Sequence, residues 1–206
     1  MADPFLCDRQ TFFKVRDKLE NITIEDLMVP IDEYATVRED ASIYEAVKAL
    51  EKAQEDLDHD RYAYLHRAIL VLDKNDRVIG KISQLDVLRA LEPKYGNMGD
   101  TKMISHAGFS RDFINSMMDY FALCERPFSE MCDRASNMKA IKFMYTLTEG
   151  EYIDVEMSLC EAIHLFIMGH HQSLLVARND KIIGILRLTD VFKEVFQMME
   201  SRRKNK

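Results

Sequence analysis

Two stretches of this chain carry the same succession of apolar and polar positions. In the first, a short β-like run at 35–37 leads to Ser42, after which Ile43, Val47 and Leu50 recur at helical spacing. In the second, a run at 151–153 leads to Ser158, followed by Leu159, Ile163 and Phe166. Ser42 with Glu45, and Ser158 with Glu161, have the spacing of capping boxes, in which the serine oxygen accepts an orphan N–H and the glutamate reaches back to the cap. Each helix is followed by a hairpin pattern. In the first stretch Ala68–Leu72 and Val78–Ile82 flank the turn Asp73–Asp76; in the second Ser173–Val176 and Ile182–Leu186 flank Arg178–Asp180. A last helix is expected to open at Asp86 and again at Asp190. The predicted order is β-α-β-β-α, written twice.

Superposing the stretches supports the repeat directly. With 28–50 laid on 144–166, Met28 meets Met144, Glu33 meets Glu149, Ser42 meets Ser158, Glu45 meets Glu161 and Ala46 meets Ala162. Farther on, Asp76–Gly80 meets Asp180–Gly184, and Asp86-Val87 meets Asp190-Val191. The offset falls from 116 to 104 between these blocks, so the first copy carries 12 additional residues, within Ala53–Leu65. Their acidic run, 55–60, reads as a solvated extension of the first helix. The chain therefore divides into an N-terminal helical segment (1–21), a first motif (22–92), a helical insert (93–136), a second motif (137–196) and a polar tail (197–206).

The N-terminal helix is expected over 8–20, with Phe12, Phe13, Val15 and Leu19 on its apolar side. The insert opens with a loop at 93–99 and continues as two helices, Ser110 to about Leu123 and Pro127 to about Ala135. Phe109, Phe113, Met117, Met118, Tyr120, Phe121 and Leu123 give it an apolar side, which either packs on the chain's own domains or forms a dimer or partner surface.

Composition narrows the function classes. Apolar residues make up 47% and charged residues 31% of 206, the profile of a soluble globular protein. No window approaches the length of a membrane span, and the first residues lack the features of a secretory signal. A net charge of −7 disfavours a phosphate backbone as partner. Cys7, Cys124, Cys132 and Cys160 form no C-x-x-C pair, so free thiols in a reducing cytoplasm are expected. His164, His170 and His171, with His59 and His66 in the other copy, lack metal-ligand spacing and read as surface or helix-end residues. No nucleophile–base or paired-carboxylate constellation points to an enzyme. Gly80 and Gly184, single glycines within strand patterns, imply a bulge or a close backbone approach.

The residues Ile-Gly-Lys-Ile-Ser83-x-x-Asp86 and Ile-Gly-Ile-Leu-Arg187-x-x-Asp190, with the lead-in Met28 and Met144 and the upstream Val37 and Ile153, resemble the CBS-domain family. The likeness covers 22–92 and 137–196. It implies a mixed α/β (α+β) fold: two tandem motifs packed as a pseudo-two-fold pair, a Bateman module, with two clefts between them. Such pairs commonly bind adenine nucleotides or related adenosyl compounds and commonly form homodimers. The resemblance implies AMP, ADP or ATP as a possible ligand, no required cofactor, and an unknown regulated protein as partner. By the same resemblance, Asp86 and Asp190 accept from ribose hydroxyls, Ser83 reaches ribose or phosphate, and main-chain groups near Val37 and Ile153 read the base. Lys81 is a further phosphate candidate.

Physical chemistry is compatible with those roles, since a helix N-terminus favours negative charge and an ionised carboxylate accepts from two hydroxyls at once. Asp86 and Asp190 would equally serve as helix caps with no ligand. The copies also differ. Arg187 stands where Ser or Thr is expected. Contact with a phosphate is the reading preferred for it, through a bidentate fork; filling the cleft, or pairing with a carboxylate and closing the site, remain open.

Overall fold

The computed structural model describes residues 22–97 and 110–204. The helix expected over 8–20, and Phe109, lie outside the described residues. Within them the chain forms two compact units, one made of Ala35–Asp56 and His66–Thr146, the other of the chain up to Tyr34, Leu57–Leu65 and the chain from Leu147. Each holds one sheet and its helices.

The first unit is built on β2 (Thr36–Arg38), β3 (Ala68–Leu72) and β4 (Val78–Ser83), in the order β2-β3-β4, with β2 parallel and β4 antiparallel to β3. Helices α2 (Ile43–Glu55) and α3 (Gln84–Leu91) close its core, where Ile43, Ala46 and Leu50 meet Ile69, Val71, Ile82 and Ala90. The insert contributes α4 (Arg111–Tyr120) and α5 (Phe128–Ser136), and Ala135 of α5 reaches the same core. The second unit orders its strands β1-β7-β6-β5: β1 (Val29–Pro30), β7 (Lys181–Arg187), β6 (Ser173–Arg178) and β5 (Tyr152–Asp154). Helices α1 (Ile24–Leu27), α6 (Leu159–Gly169) and α7 (Leu188–Lys204) complete it, and Ile24, Met28, Ile153, Leu159, Phe166, Leu174, Val176, Leu186 and Val191 form its core. The β-α-β-β-α order stands in both.

Local chemistry accounts for these boundaries. Ser42 accepts from the Glu45 N–H while the Glu45 carboxylate accepts from the Ser42 N–H at 2.7 Å. Ser158 and Glu161 repeat the arrangement. These bonds hold both glutamates below the usual carboxylate range, through the cap backbone first for Glu45 and the serine hydroxyl first for Glu161. In the first hairpin, the Asp73 carboxylate accepts from the N–H groups of Asn75 and Arg77 at 2.8 and 2.9 Å, and Asp76 takes a left-handed φ of 61°.

The lead-in of each repeat is built into the sheet of the other. Residues up to Tyr34 belong to the second unit, where Pro30 lies opposite Gly184 and Val29 opposite Ile185. Residues up to Thr146 belong to the first, where Tyr145 and Lys81 exchange N–H···O bonds at 2.9 and 3.1 Å. The two glycines explain why the fit is close. A Cβ on Gly184 would sit 2.6 Å from the Val29 carbonyl oxygen, and one on Gly80 would sit 2.7 Å from that of Tyr145. Real Cβ atoms do not approach that near, and a backbone carbonyl cannot swing aside. The expected close backbone approach is thus present at both, and each strand pair also carries a register shift of the bulge type beside it.

Several expectations are corrected. The acidic run 55–60 is no helical extension: α2 ends at Glu55, and Leu57–Leu65 folds into the second unit, because Leu57 and Tyr62 within it are buried. Val47 is exposed, and Ala46 takes the buried position on α2. His66 is fully buried instead of lying at the surface. Residues 197–204 continue α7 as helix rather than running out as a tail. Of the loop expected at 93–99, Pro93–Asn97 forms a 3-10 turn and the rest lies outside the described residues. No residue of α4 is buried, and its Tyr120 is 81% exposed.

The Asp73 turn gives a pH prediction. Its hydrogen bonds, chiefly from the Arg77 backbone, bring the carboxyl down to about 2, against about 3.9 in an unfolded chain. The folded pKa is the lower one, so its stabilisation is fully present above about pH 4 and is lost as pH falls through about 2. Asp73→Asn is expected to unfold at lower urea than the parent near neutral pH, with the gap closing towards about pH 2. Urea titrations across that range check it.

Candidate functional site

The first cluster of predicted residues forms where β4 passes into α3. Ser83 is the cap: its hydroxyl oxygen accepts from the Asp86 N–H at 3.3 Å, and its own N–H and O–H donate to Asp86 Oδ2 at 2.9 and 2.5 Å. Asp86 therefore does not open the helix. It occupies the third helical position, and Ser-x-x-Asp is itself a capping box, the device already used at Ser42 and Ser158. The second oxygen, Oδ1, accepts from Arg89 Nη1 at 2.9 Å. Asp86 is buried, whereas the Arg89 side chain is 55% exposed. One face of the carboxylate is thus fixed by the fold, and the other is covered by an arm that solvent can draw away.

Lys81 lies two residues back on β4, with its ammonium 5.6 Å from the centre of the Tyr145 ring. Val37 lies in the row of Val71 and Gly80, three residues along β4 from Ser83. Its side chain packs on the core, leaving its backbone as the part of it that belongs to the sheet edge.

In the second unit the same junction, β7 into α7, is chemically different. Arg187 stands in the position of Ser83, and Asp190 is again the third helical residue. The guanidinium forks onto the carboxylate, with Nη2 on Oδ1 at 2.7 Å and Nε on Oδ2. Its third nitrogen, Nη1, donates to the Tyr64 carbonyl at 2.8 Å, and its charge lies 5.2 Å from the centre of the Tyr62 ring. Tyr62 in turn donates its hydroxyl to the Met28 carbonyl at 3.4 Å, and burial pushes that hydroxyl up to about 12. Arg187 is 4%, Asp190 8% and Tyr62 3% exposed. Ile153, in the row of Val176 and Gly184, has its side chain in the core.

The seven predicted residues thus fall into two groups at equivalent junctions: Val37, Lys81, Ser83 and Asp86 in one unit, Ile153, Arg187 and Asp190 in the other. Sequence reasoning missed Arg89, Tyr62 and Tyr64. Arg89 was findable as the i+3 partner of Asp86. The tyrosines carried only an indirect signal: they fall in the 12 additional residues, and only folding brings that addition to Arg187. Among the described residues no group of histidine, cysteine, aspartate or glutamate side chains is arranged to hold a metal. No described helix is long and apolar enough to cross a membrane.

The sequence matches the family model of the CBS domain over residues 24–93 and 148–197. Among solved structures, the chain is similar to the CBS domain of a CBS-domain-containing membrane protein from Sphaerobacter thermophilus, with 16% identity, a TM-score of 0.58, and 90% of this chain and 95% of that one covered. It is also similar to a CBS-domain-containing protein of unknown function from Bacillus anthracis, with 21% identity, a TM-score of 0.56 and 88% and 98% covered. A third similar structure is CBSX2 in complex with AMP, with 17% identity, a TM-score of 0.53 and 86% and 98% covered. No curated protein gives a significant match.

The two carboxylates differ in what their removal should cost. Asp190→Ala leaves a buried guanidinium without its counter-charge and is expected to destabilise the protein by about 3–5 kcal/mol. Asp86→Ala removes a helix-capping carboxylate whose cation is half in water, and is expected to cost about 1 kcal/mol. Urea unfolding of both variants beside the parent reads the difference; equal losses would contradict the asymmetry.

Proposed function

This chain belongs to the CBS-domain family, and from that premise we propose that it is a non-catalytic regulatory module that senses an adenine nucleotide of the AMP, ADP or ATP type and passes its occupancy to a partner protein. The observation that carries the reading is the Ser83–Asp86 box with its exposed Arg89. Ribose hydroxyls are donors, and Asp86 Oδ1 is an acceptor held in place by the fold and paired with a half-exposed cation. Drawing Arg89 away lets the carboxylate accept from the sugar without disturbing the serine that caps α3. The positive end of α3 and the nearby Lys81 favour the charge of a phosphate over a neutral adenosyl group. The AMP held by CBSX2 is a precedent for such a ligand in this fold.

Differential scanning fluorimetry with AMP, ADP, ATP, NAD and S-adenosylmethionine tests the proposal. At a free ligand concentration about 100 times Kd the stabilisation is about 2.7 kcal/mol, a rise of about 5–10 degrees for a chain of this size. At least one phosphorylated adenosine ligand is expected to produce it, and Asp86→Ala to abolish it. If none of the five raises the melting temperature, the nucleotide reading is wrong.

The proposal includes a homodimer. Helix α7 leaves Phe192, Phe196 and Met199 exposed at i, i+4 and i+7, one apolar stripe along its outer side. Light scattering after size exclusion is expected to give twice the chain mass of 24.0 kDa, and Phe192→Asp with Phe196→Asp to give the chain mass. A monomeric parent would refute this part.

A further inference from the structure

The two copies of the repeat depart from each other at two places, and those departures touch. One is the stretch of 12 additional residues in the first copy; the other is Arg187 in the second, where the first has Ser83. In the fold Leu57–Leu65 leaves the unit of its own repeat and joins the unit that contains Arg187. There Arg187 Nη1 donates to the Tyr64 carbonyl, and the Tyr62 ring lies beneath the guanidinium. The segment is anchored at its start by the buried Leu57, and in its middle by the Tyr62 hydroxyl on the Met28 carbonyl. The two departures thus meet at Arg187, which bonds to the added segment as well as to Asp190.

We infer that Leu57–Leu65 and Arg187 together form an internal plug that takes a ligand's place on Asp190, so that the second repeat holds no nucleotide and the chain carries a single nucleotide position, at Asp86. The count of nucleotides rests on the function proposed above; the plug does not. Three observations carry it. Both Asp190 oxygens are engaged by a two-pronged, charge-assisted fork, a stronger partner than two neutral hydroxyls. A ligand hydroxyl displacing that fork would leave a guanidinium only 4% exposed without its counter-charge, a far larger penalty than moving Arg89 into water. An aromatic ring already lies against the cation, and a backbone carbonyl already accepts from its third nitrogen, so the segment 57–65 holds the guanidinium in addition to Asp190. At Asp86 the equivalent position is held by Ser83, which spans only the distance to the carboxylate. The second repeat is in this sense permanently occupied, by the first repeat's own chain.

Isothermal titration of the full chain with whichever of AMP, ADP or ATP it binds, joined to hydrogen exchange, tests the inference. One equivalent is expected, lost in Asp86→Ala and kept in Asp190→Asn, and a second equivalent is expected to appear in Arg187→Thr combined with Tyr62→Ala. Two equivalents in the parent, or binding that survives Asp86→Ala and vanishes in Asp190→Asn, would overturn it. Should the parent bind no nucleotide, the nucleotide reading fails by itself, and exchange then decides the plug. The Tyr62 amide, bonded to the Asp58 carbonyl at 2.8 Å, is expected to exchange at least about tenfold faster in Arg187→Thr while amides of β3 and β4 are unchanged. Unaltered exchange of 57–65 would refute the plug. If Arg187→Thr does not fold, Arg187→Lys, which keeps the charge and loses the fork, is expected to move the same amide in the same direction.

Discussion

The fold depends on two backbone-to-backbone approaches, at Gly80 and at Gly184. At each a glycine in a hairpin strand lets a segment from the other repeat lie closer than any side chain would allow. The framework of each unit is local, a parallel strand pair, an antiparallel hairpin and the helices that follow its strands, to which α5 of the insert adds in the first core and Leu57–Leu65 in the second unit. The exchange of lead-in segments is the long-range element common to both units. It fixes which chain segments share a core, so that Met28 packs with Phe166 and Leu186 instead of with its own repeat.

One chemical device, a carboxylate three residues after a cap, recurs through the chain and explains the candidate site. It starts α1 at Thr23 and Asp26, α2 at Ser42 and Glu45, α6 at Ser158 and Glu161, and α3 at Ser83 and Asp86. In the first three the carboxylate has only to hold the helix. At Asp86 the residue is buried with one oxygen turned to an exposed arginine, so the same carboxylate that caps the helix also offers an acceptor. The capping role of Asp86 and the recognition role proposed for it are therefore compatible in one side chain.

Much of this was legible in the sequence, for identifiable reasons. The helical periods of Ile43–Leu50 and Leu159–Phe166, the two Ser-x-x-Glu boxes and the polar hairpin turns are short-range signals, and each is realised as the element it marked, with Ala46 in place of Val47 on the buried side of α2. The glycines announced a close approach, although not which segment approaches, because a partner as distant in sequence as Tyr145 is from Gly80, or Val29 from Gly184, leaves no local trace. The fate of 55–60 was misread for the same reason. A run of acidic residues after a helix resembles a solvated extension until Leu57 and Tyr62 are seen to be buried in the other unit. At Arg187 the sequence allowed a phosphate clamp, a filler or an ion pair; in the fold both prongs of its fork end on Asp190, a partner that its position three residues before that carboxylate made possible.

The exchange of lead-in segments also bears on how such a protein can be divided or can have arisen. A fragment cut at the boundary of the repeat, carrying 22–92 alone, would keep the groove at Gly80 and lose the Tyr145 segment that fills it, while its own Val29-Pro30 would have no Gly184 to lie against. A lone repeat therefore satisfies neither half of the arrangement unless a second copy of the chain donates its lead-in and accepts one in return. A gene encoding one repeat would require such a reciprocal pair, and joining two such genes end to end would supply both lead-ins within one chain and remove the dependence on concentration. Duplication followed by divergence of the two halves, one gaining a segment and the other an arginine, then becomes the natural history that this topology permits.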